Sequence, residues 1–146
     1  MSEHRTSLLW SRGERPFTYE QYGRDHRVTY GTGTAHDVSA APEYRGNAAL
    51  PNPEELLVAA LSSCHMLTFL AVAAKKKLVV ERYEDDAVGT LARPEGGAMQ
   101  VTEVILKPRV TFEGEAPDAA TLASMHEQAH RGCFIANSVK TQVRVS

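Results

Sequence analysis

The chain has 146 residues, 42% of them hydrophobic and 23% charged, the composition of one globular domain large enough to fold without disulfide staples. Its 16 Lys and Arg against 18 Asp and Glu leave a net charge of −2, which argues against nucleic acid or an anionic membrane as a partner. The apolar-rich stretch from Leu56 to Ala74 carries Ser62, Ser63, Cys64, His65 and Thr68, so it reads poorly as a membrane span.

The opening residues Met1-Ser2-Glu3-His4-Arg5 lack the apolar core of a signal peptide. The expected compartment is the reducing cytoplasm, where two cysteines suit chemistry better than structure. From Ser7 to Val38 the pattern predicts short strands at Leu8-Leu9-Trp10, at the alternating Phe17–Tyr22 and at Arg27–Tyr30, with Gly and Pro residues as turns between them. Ala40 to Ala48 has no period and reads as a surface loop.

Asn52-Pro53-Glu54-Glu55 is the clearest helix start. Asn serves as N-cap, Pro occupies the first helical position, and the carboxylates meet the positive end of the dipole. Leu56-Leu57, Ala60-Leu61, Cys64, Leu67-Thr68 and Ala71 then recur at helical spacing. Met66, Phe69, Leu70 and Val72 extend the apolar surface to other sides, which predicts a helix buried nearly all round. Lys75-Lys76-Lys77 closes it as a cationic cap.

Val79–Arg93 and Met99–Phe112 are two β-prone stretches separated by the turn signal Pro94–Gly97. A second helix starts at Pro117-Asp118, carries Leu122, Met125, His126 and Ala129 on one side, and stops near Gly132. A last alternating strand runs from Lys140 to Val145. The expected fold is α+β over residues 1–146 as one domain, with antiparallel sheets segregated from two main helices.

The chemistry rests on few residues. Cys64 lies mid-helix on an apolar face, where a free cysteine often serves as a small hydrophobe. To react there it needs a cation from elsewhere in the fold, because the dipole field is confined to the terminal turns. Cys133 follows the helix-ending Gly132, at a junction free to move. One rigid and one mobile thiol suit a nucleophile and a resolving partner. A rival constellation joins His126 and His130, four apart on one helix face, with Cys133 and Cys64 as a Cys2His2 zinc site. A Cys64–His65 hydrolase pair is weaker, since adjacent helical residues point about 100° apart. His4, His26, His36 and His65 read as surface or packing residues, His26 lying near the candidate arginine described next.

The run NPEELLVAALSSCHMLTFL, Asn52 to Leu70, resembles the peroxidatic-cysteine helix of the OsmC/Ohr superfamily, and AHRGCFIANSV, Ala129 to Val139, resembles its second-cysteine segment. The front of the chain, with Arg24-Asp-His26 and Val38–Pro42, is similar too. The resemblance implies a thiol-dependent peroxidase that reduces organic hydroperoxides. Cys64 matches its peroxidatic cysteine, Cys133 the resolving one, and Glu54 the glutamate ten positions before the first. The thiolate-holding arginine falls on Arg24, with Arg27 as the neighbouring alternative. Phe134-Ile-Ala-Asn137 departs from the Ohr pattern and resembles the OsmC-like branches instead.

The implied cycle passes through a Cys64 sulfenate and a Cys64–Cys133 disulfide, reopened by an external dithiol such as a lipoyl group or a small thiol, with no bound cofactor or metal. Apolar neighbours of Cys64 favour an alkyl or aryl peroxide over hydrogen peroxide. Ten helical residues separate Glu54 from Cys64 by about 15 Å. One arginine does not span that distance comfortably, so the four residues are expected to come together across an intertwined homodimer, the family's assembly. The alternatives are a family member that binds an apolar small ligand without peroxidase activity, and the Cys/His metal site.

Overall fold

Three short strands open the chain: β1 (Thr6–Leu9), β2 (His26–Tyr30) and β3 (Ala35–Val38). They form an antiparallel sheet in that order, with Leu8 opposite Val28 and Val28 opposite His36. The computed structural model describes every residue from Met1 to Ser146 and divides into two compact units, Met1–Leu56 and Leu57–Ser146. In the first unit the alternating Phe17–Tyr22 segment is a turn and not a strand. The amides of Gln21 and Tyr22 both donate to the Thr18 carbonyl at 3.0 Å. Its alternation serves aromatic packing: Phe17 and Tyr22 lie 5.2 Å apart between ring centroids, and Trp10 lies 6.0 Å from Phe17. Within the loop after β3, Pro42–Tyr44 closes one 3-10 turn.

The first long helix, α1, spans Pro53–Lys75. The Asn52 Oδ1 accepts from the Glu55 amide at 2.9 Å, and its Nδ2 donates to the Glu55 carboxylate at 3.0 Å, a reciprocal capping arrangement. At the other end Lys77 takes a left-handed conformation with φ of 60°. The Leu78 amide donates back to the Ala73 carbonyl and the Lys77 amide to that of Ala74, both at 3.0 Å. That double bond pattern satisfies the last orphan carbonyls.

By length and composition α1 is apolar enough to cross a membrane. In this fold it is a core helix, burying Leu61, His65, Phe69 and Ala73, a single stripe of residues four apart. The all-round burial expected from the sequence is therefore not met within one chain: Leu67 is 60% exposed. Its apolar faces exceed what one small sheet system can cover.

Each of the two middle β-prone stretches breaks into two strands: β4 (Val80–Asp85) and β5 (Val88–Ala92), then β6 (Gln100–Leu106) and β7 (Pro108–Phe112). β4 pairs with β7 and β5 with β6, both antiparallel. The breaks coincide at Asp85, whose carboxylate accepts from the Lys107 amide at 2.6 Å and from the Ser62 hydroxyl of α1 at 2.5 Å. A strand amide that leaves its ladder must find another acceptor, and Asp85 supplies it.

The second helix, α2, spans Ala119–Gly132, with Asp118 accepting the Thr121 amide at 2.7 Å. The last strand, β8 (Gln142–Val145), joins β6 in parallel. Hydrophobic alternation carries no information on that direction. The α+β class, with two main helices and separate sheets, is otherwise as the sequence predicts.

Two small cores result. Phe69 and Ala73 of α1 pack with Met125 and Ala129 of α2, and Leu61 packs with Val104 and Leu106 of β6.

Candidate active site

Cys64 and Cys133 are both free thiols, and Cys64 lies close enough to Cys133 to push the Cys133 thiol up. α1 presents Cys64, half-buried, from its middle turns. α2 ends at Gly132, so Cys133 sits just outside the helix, 1% exposed, with its amide on the His130 carbonyl at 3.3 Å. A short 3-10 turn, Ala136–Ser138, folds the chain back so that the Ala136 amide points at the Cys133 Sγ at 3.4 Å.

Burial pushes the Cys133 thiol up from its ordinary value. The Ala136 amide pulls it down, and the neighbouring Cys64 pushes it up again. The net effect holds the Cys133 thiol above its ordinary value, so it keeps its proton at neutral pH.

The two other candidate residues lie in the first unit. Arg24 is half-buried and donates to the carbonyls of Tyr22 and, at 2.6 Å, Tyr19. Its guanidinium carbon lies 3.5 Å from the Tyr22 ring centroid, a cation–π geometry. Arg27, by contrast, is exposed on β2 and paired with Asp37 of β3 at 3.0 Å. Glu54 stands half-buried in the first turn of α1, and no ion pair joins it to Arg24 within the chain. A single helix does carry both Glu54 and Cys64.

His65, read from the sequence as a surface or packing residue, is 1% exposed and faces His126, itself 8% exposed. The His65 Nε2 and His126 Nδ1 are 3.0 Å apart and the rings are nearly parallel, 8° between planes. The signal for it was present: His65 falls on the stripe Leu61, His65, Phe69, Ala73. Phe69 stacks on the other side of His126, 4.4 Å between centroids.

His126 and His130 do not join the cysteines in a metal centre, and no three His, Cys, Asp or Glu side chains converge as a metal-binding group. A cleft of about 450 Å3 between α2 and β8 is lined by apolar side chains including Leu122 and Val143, with His126 and His130 at its wall. Neither cysteine lines it.

The family model described as OsmC-like protein matches residues 46–146. The chain belongs to the OsmC-like protein family. An OsmC-like protein of unknown function from Vibrio cholerae is 44% identical, with 100% of this chain and 99% of that one covered, and superposes with a TM-score of 0.95. Two further structures share the OsmC-like fold at lower identity. An organic hydroperoxide resistance protein from Legionella pneumophila is 20% identical, with 100% and 98% of the chains covered and a TM-score of 0.73. One from Elizabethkingia anophelis is 18% identical, with 100% and 96% covered and a TM-score of 0.75. No curated protein matches the chain.

Proposed function

We propose that the protein is a thiol-dependent peroxidase that reduces organic hydroperoxides to alcohols. The observation that carries this reading is the closeness of Cys64 and Cys133, two free thiols of unequal burial on separate elements. Membership of the OsmC-like family supports it.

In the proposed cycle the Cys64 thiolate attacks the terminal oxygen of R–O–O–H. The O–O bond breaks, the oxygen stays on sulfur as the sulfenic acid, and RO⁻ leaves to take a proton as the alcohol. Cys133 then attacks the Cys64 sulfur and the hydroxyl departs with the thiol proton as water. An external dithiol, a lipoyl group or a small thiol, reopens the disulfide by exchange and is itself oxidised.

A buried mid-helix thiolate needs a fixed cation, and Arg24 fills that role with Glu54 holding it. Two chains are needed: a homodimer brings Arg24 and Glu54 to a thiol about 15 Å along the helix from Glu54. The uncovered apolar side of α1, with Leu67 60% exposed, supports a partner subunit. No membrane or nucleic acid takes part, and the setting is cytoplasmic.

The deciding experiment counts thiols before and after one equivalent of cumene hydroperoxide on reduced, metal-free protein. The wild type loses two thiols, Cys64→Ser loses none, and Cys133→Ser accumulates a sulfenate that dimedone traps. Unchanged wild-type thiols overturn the reading.

A further inference from the structure

The His65–His126 contact is the one side-chain hydrogen bond that joins α1 to α2. Beside it the helices pack through Phe69, Ala73, Met125 and Ala129. Apolar packing is not directional, so it holds two helices together without fixing how one slides or rotates on the other. A hydrogen bond weakens steeply with distance and angle, so it does fix them.

The pair is borne by the same two chain segments as the thiols. His65 follows Cys64 directly, and His126 lies in the penultimate turns of the helix that delivers Cys133, seven residues before it.

The bond is also costly to bury, which separates its role from simple adhesion. The His65 Nδ1 is buried without a partner. The less costly tautomer has the His65 Nε2–H donating to the His126 Nδ1, leaving a bare lone pair at the orphaned atom and not a stranded N–H. An apolar pair of the same shape would stabilise the helix contact about as well without that penalty. What the imidazoles add is a unique register.

We propose that His65 and His126 are positioning residues, whose single hydrogen bond sets the register of α1 on α2 and thereby holds the Cys64 sulfur against that of Cys133. The inference rests on reading those cysteines as a reacting pair.

The test measures the effective concentration of one thiol for the other, from the equilibrium of the Cys64–Cys133 disulfide with a dithiothreitol redox buffer at pH 7. His126→Phe and His126→Leu keep an apolar contact without the bond. The double variant His65→Gln with His126→Asn restores a donor near the old Nε2 and an acceptor near the old Nδ1.

The expected result is an effective concentration lowered about tenfold or more in the apolar variants, and recovered to within about threefold of wild type in the amide pair. A merely space-filling role would favour the apolar variants. Wild-type values in both apolar variants overturn the proposal, and so does an amide pair as poor as they are. Because no hydroperoxide is used, inert thiols in the peroxide assay would sink the peroxidase reading while leaving this result intact.

Discussion

Gly132, the last residue of α2, lies against Thr68 of α1: a Cβ built on the glycine falls 3.1 Å from the Thr68 Cγ2. The approach is too close for a side chain without movement, and the next residue is Cys133. Gly132→Val is expected to destabilise the fold by about 1–3 kcal/mol, in the range of overpacked contacts. Gly132→Ala combined with Thr68→Ser, which removes the opposing methyl, recovers most of that loss. Urea denaturation reads both, and a Gly132→Val midpoint equal to wild type would contradict the tight contact.

Acid weakens the protein through His65. Burial first, and then the nearby His126 and His130, push this imidazole down to about 4, with Asp85 opposing. Burial also lowers His126, again with Asp85 opposing. The unfolded imidazole takes its proton near 6.5, whereas the folded one refuses it until about 4. The unfolded state therefore binds more protons in that window, and stability falls as pH drops from 6.5 to 4, levelling below. The cost at His65 is of the order of 3 kcal/mol. Urea midpoints at pH 7, 5.5 and 4.5 should decline less steeply in His65→Gln than in wild type. Parallel declines would assign the acid sensitivity to the carboxylates instead.

Arg24 and Arg27 make opposite predictions. Arg24 uses its fork on two carbonyls and its plane on Tyr22, geometry that lysine cannot copy. Arg24→Lys keeps the charge and should still slow Cys64 oxidation by cumene hydroperoxide between about 10- and 100-fold, the usual cost of a misplaced catalytic group. Arg27→Lys alters only an exposed ion pair with Asp37, worth at most about 1 kcal/mol, and leaves the rate near wild type. Stopped-flow measurement of the second-order rate constant separates them, and the reverse ranking would favour Arg27 over Arg24 as the cation proposed for the thiolate.

Local signals in the chain read well because their causes are local. Asn52 and Pro53 announced α1, and Asp118 announced α2, since a cap depends on residues three apart. Strand breaks did not announce themselves. Val79–Arg93 looks continuous until Asp85 takes the Lys107 amide, a contact 22 residues away. Phe17–Tyr22 has a strand's alternation but spends it on an aromatic cluster around Trp10. The two cysteine segments were legible through resemblance, whereas the His65–His126 pair needed α1 and α2 laid together before either imidazole had a partner.

The amide of Ala136 points at the Cys133 sulfur from 3.4 Å. A thiol sulfur and a disulfide sulfur differ in electron density as acceptors, so that proton sits in a different shielding environment in the two oxidation states. The Ala136 resonance in an amide-detected nuclear magnetic resonance spectrum is thus a label carried by the backbone itself, which follows the oxidation state of Cys133 in real time without a probe attached to either thiol.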